Sequence, residues 1–173
     1  MRAGLAALCA VVGLGCAAAS AQAQDTLRLV YREEFDPRGF EFRDVDRSGT
    51  QSVGDELRIR LNLMKGGRRE AVVRIVRRLT AVQGALLTFR EESVVTFQRR
   101  GNRSGGHLYT VRDDTEDLND LPNVGQTEVI PVVRGDGRFA GYTGEVRSVI
   151  VRVAPRTLDP ISETRIALSR AGT

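Results

Sequence analysis

Hydrophobic and polar residues alternate along most of the chain after residue 24. This period of two is typical of β-strands that bury one face. In residues 87–98, for example, Leu87, Phe89, Val95 and Phe97 share one face, whereas hydroxyl and charged side chains fall on the other. Eight such segments are separated by turns rich in Gly, Asn and Asp: 27–35, 57–63, 71–79, 87–98, 107–112, 128–134, 145–154 and 161–169.

A run of short strands without long helices predicts an all-β domain, either a closed barrel or a sandwich. Residues 115–121 are the best candidate for a helix, since Pro122 would end it. Closure is favoured because it removes exposed sheet edges, and eight strands leave an interior for side chains or one small ligand. We therefore predict a single eight-stranded antiparallel β-barrel.

The first 23 residues have the pattern of a targeting signal. Arg2 precedes an apolar run over residues 3–19, and Ala21-Gln22-Ala23 has the small-x-small pattern of a cleavage site. We predict a signal peptide over residues 1–23, a barrel domain over 24–173, and an exported protein, periplasmic or secreted. Cleavage after Ala21 and lipidation at Cys16 are the alternatives. No later segment is long and apolar enough to span a membrane as a helix, so no membrane partner is expected after cleavage.

Composition excludes several classes of protein. Both cysteines, Cys9 and Cys16, lie in the predicted signal, so the remaining 150 residues hold no disulfide framework and no Cys-rich metal site. The net charge is +4, but acids alternate with the arginines, and aromatic residues make up only 5%. A nucleic-acid-binding protein needs a basic stripe with stacking aromatics, and no such stripe is present.

A glycine-rich segment over residues 133–146 joins two late strands. Gly135, Gly137, Gly141 and Gly144 permit positive φ or close backbone approach, and Phe139 between them is predicted to plug one end of the barrel. A phosphate-binding loop is not favoured, because no strand–helix unit follows and no Lys-Ser/Thr pair is present.

This segment resembles the glycine-rich signature of the allene oxide cyclase and dirigent protein superfamily, and in particular exported bacterial barrel proteins of the allene oxide cyclase type. The resemblance extends over residues 27–170 and includes Val30-Tyr31 on the first strand and Gly54-Asp55 before the second. It implies a barrel that holds a small, largely apolar molecule without a cofactor, and a homo-oligomer, either a trimer or a dimer.

The resemblance also implies two activities, a cyclase or isomerase and a dirigent-type protein that guides ring closure or coupling. Plant cyclases of the superfamily carry a Glu and an Asn after the Val-Tyr pair, where this chain has Arg32 and Glu34. That mismatch favours binding of a small apolar molecule over catalysis, and whether the protein is an enzyme stays open.

Candidate site residues come from polar side chains near the apolar faces. Glu91 and Ser93 lie on the apolar face of the fourth predicted strand, which is typical of polar groups in an apolar ligand pocket. The alternatives are a β-bulge that shifts the faces and an ion pair between Glu91 and an arginine. The candidate catalytic residues are Glu34, Glu91 and Tyr109, and the candidate ligand contacts are Phe89, Ser93 and Arg90.

Two further motifs have less specific interpretations. Asp44, Asp46 and Asp55 have the spacing of a calcium loop, but the flanking segments are strands, so a turn held by Asp and Ser hydrogen bonds is favoured. His107 is the only histidine, and a strand-end surface position is favoured over acid–base catalysis. We predict neither a metal nor a cofactor.

Overall fold

The computed structural model describes residues 25–36, 38–99, 101, 104–154 and 160–170, so the predicted signal peptide lies outside the described residues. Nine strands account for most of them. They are β1 (Asp25–Phe35), β2 (Glu41–Arg43), β3 (Glu56–Lys65), β4 (Arg68–Gln83), β5 (Leu86–Phe97), β6 (Gly106–Asp117), β7 (Thr127–Gly135), β8 (Tyr142–Val153) and β9 (Pro160–Arg170), with one 3₁₀ turn, Gly137–Phe139, between β7 and β8. Among the described residues, no helix has the length and hydrophobicity needed to cross a bilayer.

The strands form one closed antiparallel barrel. The sheet runs in the order β1-β9-β8-β7-β6-β5-β4-β3-β2, and an additional pairing of β1 with β3 closes a barrel of eight strands, leaving β2 as a short extra strand beside β3. The predicted eight-stranded antiparallel barrel is therefore confirmed, whereas β2 was not predicted.

Residues 115–121, the best candidate for a helix in a chain predicted to be all-β, form the end of a strand followed by a turn and loop instead. Strand β6 continues through Thr115 to Asp117, which pairs with Leu86 of β5, and a turn follows. A long hairpin with β5 satisfies the backbone of these residues, and this tertiary pairing overrides a weak local helix preference.

One end of the barrel is closed by apolar side chains. Phe139 is fully buried (0% exposed), and its ring centroid lies 4.8 Å from that of Phe97, which in turn contacts Tyr31. Leu63 and Leu108 are also fully buried in this cluster. The glycine-rich segment thus supplies the closing side chain, and the strands run from this closed end to an open mouth.

Two glycines of the segment permit close packing, Gly135 against Phe139 and Gly144 against the neighbouring strand β9. A Cβ on Gly135 would lie 2.2 Å from the carbonyl oxygen of Phe139. Gly144 has φ of +152°, and a Cβ there would lie 2.0 Å from the carbonyl oxygen of Ala167 on the neighbouring strand. Neither position has room for a side chain, and Gly144 also has a backbone conformation that favours glycine.

Candidate ligand-binding site

A cavity of about 1440 Å³ occupies the barrel between the closed end and the mouth. It is large enough for one drug-sized molecule, because ligand pockets typically measure about 300–1,000 Å³. Its wall towards the closed end is mostly aliphatic: Ile59, Leu61, Leu63, Val73, Ile75, Val95, Ile130 and Val146. The mouth is lined in part by Phe35 and Phe40, which are exposed and lie with their ring centroids 6.3 Å apart.

A belt of polar side chains crosses this apolar interior at one level, on seven of the eight barrel strands. We call it the polar belt: Glu33 (β1), Thr164 (β9), Ser148 (β8), Glu128 (β7), Arg112 (β6), Glu91 (β5) and Arg77 (β4). Strand pairing places these residues side by side, because Thr164 pairs with Ser148, Ser148 with Glu128, Arg112 with Glu91, and Glu91 with Arg77. The non-local registers of the sheet therefore build the belt from residues far apart in sequence.

Glu91 is the best-buried charge of the polar belt, with 1% of its side chain exposed. Its Oε2 accepts hydrogen bonds from Nε of Arg77 at 2.7 Å and from Nη2 of Arg112 at 3.1 Å. The arginines are themselves only 13% and 11% exposed. The second oxygen, Oε1, is buried and has no hydrogen-bond partner among the residues that the structure describes.

Each belt arginine also contacts further carboxylates towards the mouth. Arg77 donates to Glu116 at 2.8 Å, and its guanidinium lies 4.6 Å from the centroid of the Phe89 ring. Arg112 contacts Glu128 at 3.2 Å and Asp114 at 3.0 Å. Arg77 thus forms ion pairs with two carboxylates and Arg112 with three.

Glu33 lies in a different environment from Glu91. It faces the cavity, accepts a hydrogen bond from the Thr164 hydroxyl, and is also hydrogen-bonded to Ser148. Burial raises the pKa of the Glu33 carboxyl, the two hydroxyls partly oppose that rise, and the nearby charge of Glu128 adds to it. The Glu33 carboxyl therefore loses its proton at a higher pH than an exposed glutamate does.

The structure brings three of the candidate site residues to the barrel interior. Glu91 and Ser93 line the cavity, and Ser93 shares a 2.6 Å hydrogen bond with Thr110. Phe89 is buried next to Arg77, nearer the mouth. From the sequence, Glu91 was expected either to lie in an apolar ligand pocket or to pair with an arginine. In the structure it does both.

Two of the other three candidates lie on the outer face, and Glu34 lies at the rim of the barrel. Glu34 follows Glu33 on β1, pairs in register with Asn62, and forms an ion pair with Arg32 at the edge of the cavity. Arg90 is exposed and contacts Glu92 and Asp113. Tyr109 lies outside the barrel on β6, and Arg134 stacks over its ring at 4.1 Å.

Sequence reasoning missed Glu33, Arg77, Arg112 and Glu128. A signal for the first two was present, because Glu33 falls between Tyr31 and Phe35, and Arg77 between Ile75 and Leu79, on the apolar parity of their strands. A charged residue at such a position is the same signal that selected Glu91.

His107 and Tyr109 form a small cluster with Asp136 of the glycine-rich segment. His107 Nδ1 lies 2.7 Å from Asp136 Oδ1, and the Tyr109 hydroxyl donates to Asp136 Oδ2 at 2.8 Å. The hydrogen bonds from Tyr109 and His107 lower the pKa of the Asp136 carboxyl. The cluster lies on the outer face and ties the segment to β6.

The three aspartates of the calcium-like motif are close together, with carboxylate oxygens within 4.8 Å of one another. Their oxygens accept hydrogen bonds from the loop itself: Asp44 from Gly49 N at 2.7 Å, Asp46 from Ser52 Oγ at 2.9 Å, and Asp55 from Val45 N at 2.8 Å. Hydrogen bonds from Ser48 and Ser52 lower the pKa of Asp46 to about 2. These contacts are those of a turn built by Asp and Ser side chains.

Comparisons with solved structures identify the architecture. A pterocarpan synthase dirigent protein superposes with a TM-score of 0.61 at 11% identity, over 86% of this chain and 90% of that protein. The chain has the dirigent-type barrel fold. A pyocyanin demethylase matches with a TM-score of 0.57 at 14% identity, over 82% of this chain and 99% of that one. A Diels–Alderase from Streptomyces koyangensis matches with a TM-score of 0.56 at 13% identity, over 88% and 72% of the two chains.

The superfamily resemblance predicted from the glycine-rich segment is thereby confirmed as a likeness of fold. No protein-family model matches the sequence, and no curated protein matches it either. At identities of 11–14%, the activities of the dirigent-type barrels are not transferred to this chain by the superposition.

Proposed function

We propose that the protein binds a small, largely apolar molecule inside its barrel. The observation that carries the proposal is the cavity of about 1440 Å³, with an aliphatic wall and a polar belt. Specific ligand sites have this composition, since the apolar wall supplies affinity and a few polar groups fix the orientation of the ligand. Together with the predicted signal peptide, the proposal places this binding in the periplasm or outside the cell.

Native mass spectrometry of the protein purified from the envelope of its own host tests the proposal. The wild-type protein is expected to carry a co-purifying small molecule, or to take one up from a lipid extract. Val146→Trp places a bulky ring in the cavity against its aliphatic wall and should weaken uptake, whereas Arg147→Trp, on the outer face of the same strand, should preserve it. Circular dichroism establishes that both variants are folded.

A bare protein mass with no uptake from any extract would contradict the proposal. Equal uptake by Val146→Trp and the wild type would contradict it as well, because the molecule would then bind outside the cavity. Should Val146→Trp fail to fold, Ile75→Phe, which also points into the cavity, takes its place.

A second candidate function is a cofactor-free cyclase or isomerase, or a dirigent-type protein that guides a reactive substrate. Glu33 favours it, because a cavity carboxyl with a raised pKa can give a proton to a bound substrate or remove one. The dirigent and cyclase barrels among the structural neighbours support this candidate at the level of fold.

The test is turnover of the molecule found by mass spectrometry. Glu33→Gln should slow the reaction about a hundredfold or more, as expected for loss of a general acid or base. Glu163→Gln changes a carboxyl on the outer face of β9, where it pairs with Arg165, and should leave the rate unchanged. Equal rates in both variants would exclude Glu33 from the chemistry.

A further inference from the structure

Carboxyl groups outnumber cations around the polar belt. In the described residues, two guanidinium groups, Arg77 and Arg112, share their ion pairs with four carboxylates: Glu91, Asp114, Glu116 and Glu128. Glu33 adds a fifth carboxyl on the opposite wall of the cavity. The belt therefore has a surplus of acid and no guanidinium left over for an anionic ligand.

Glu33 has no ion pair among the residues that the structure describes. Its neighbours are the hydroxyls of Thr164 on β9 and Ser148 on β8, the carboxylate of Glu128 on β7, and the aliphatic Leu63, its register partner on β3. The charged residues on either side of it in sequence, Arg32 and Glu34, pair with each other at the rim of the cavity, and Arg152 lies exposed at its mouth. A positive group bound beside Glu33 would meet the carboxyls of Glu33 and Glu128, while the guanidinium of Arg32 is held by Glu34.

We propose that the cavity takes an apolar ligand that carries a cationic nitrogen, such as a protonated alkyl or arylmethyl amine, with its N–H donating to Glu33. This inference rests on the proposed binding function and names the class of ligand. A carboxylate placed at the belt would face Glu33, Glu91 and Glu128 without a free partner, which is unfavourable in a poorly solvated site. Oε1 of Glu91, which is buried without a hydrogen-bond partner, adds to the preference for a donor.

Binding of a cation should also release a proton. Burial and the charge of Glu128 favour the protonated form of Glu33, whereas an ammonium group beside it favours the ionised form. Where the Glu33 carboxyl is protonated, formation of the carboxylate–ammonium pair releases its proton to the buffer. The heat of binding will consequently depend on the ionisation enthalpy of the buffer.

Isothermal titration calorimetry with three probes of one skeleton tests the inference: 2-naphthylmethylammonium, 2-naphthylmethanol and 2-naphthoate. The amine is expected to bind about tenfold more tightly than the alcohol, as for a hydrogen bond between charged partners, and the carboxylate most weakly. Glu33→Gln should bring the amine to the affinity of the alcohol and abolish proton release. Glu163→Gln, a control on the outer face of β9 where Glu163 pairs with Arg165, should retain the preference and the proton release.

Each other outcome overturns the inference. If the alcohol binds as tightly as the amine, the cavity binds ligands but does not select a cation. If the carboxylate binds best and Arg152→Gln weakens it, the charged group of the ligand lies at the mouth, where Arg152 is exposed. If none of the three probes binds, the proposed binding function fails together with the inference.

Discussion

Replacement of Glu91 by leucine should destabilise the barrel strongly. The side chain is 1% exposed and holds two arginines that are 13% and 11% exposed, so Glu91→Leu leaves two buried cations with fewer partners. Removal of one partner from a buried ion pair costs about 3–5 kcal/mol. Because Arg77 keeps Glu116, and Arg112 keeps Glu128 and Asp114, we expect the lower end, about 3 kcal/mol.

Urea unfolding followed by far-UV circular dichroism measures this change, with Glu92→Leu as the control on the outer face of the same strand. Glu92 is 65% exposed and forms a surface ion pair with Arg90, so its replacement should shift the free energy of unfolding by no more than about 0.5 kcal/mol. For a domain of this size, a loss of about 3 kcal/mol corresponds to a fall in Tm of roughly 6–12 °C. If Glu91→Leu is as stable as Glu92→Leu, the arginines do not depend on Glu91, and the account of the polar belt is wrong.

Three further predictions concern pH and the glycine-rich segment. The raised pKa of Glu33 gives stability that is fully present below its unfolded-state pKa and lost as pH rises through the folded-state pKa. Glu33→Gln should therefore gain stability relative to wild type as pH rises from about 4 to about 8. If the urea midpoints of variant and wild type differ by the same amount at both pH values, this prediction is contradicted. The lowered pKa of Asp136 gives stability that is present above its unfolded-state pKa and lost as pH falls through the folded-state pKa. Asp136→Asn should thus be less stable than wild type near neutrality, and this difference in the free energy of unfolding should disappear as the pH is lowered. Gly144→Ala should cost at least about 3 kcal/mol in urea unfolding, since its Cβ would lie 2.0 Å from a backbone oxygen; a cost under 1 kcal/mol would argue against this register of β8 and β9.

The strands could be predicted because each one buries a single face, so that alternation in the sequence reports directly on the fold. The plug residue could also be predicted, because a phenylalanine among glycines has few places to lie except under the turn. The extra strand β2 could not, since its three residues, Glu41–Arg43, are all exposed and carry no alternation that marks a buried face.

The polar belt was only partly predictable. Glu91 stood out as an acid on an apolar face, and the same test applied to every strand would have selected Glu33 and Arg77. Their partners depend on the registers that set Arg77 beside Glu91 and Glu91 beside Arg112. The first of these registers is shifted by an irregularity between Leu79 and Ala81, which the alternation of residues along the strand does not report. The resemblance to plant cyclases pointed to Glu34, whereas the strand parity of this chain turns Glu33 inward.

A crystal structure of the wild-type protein with bound 2-naphthylmethylammonium tests the central claim most directly. The account predicts electron density for the probe inside the barrel, with the naphthalene ring against the aliphatic wall near Val95 and Val146 and the nitrogen within hydrogen-bond distance of Glu33. Density confined to the outer face, for instance beside Arg90 or Tyr109, with the cavity free of the probe, would contradict it.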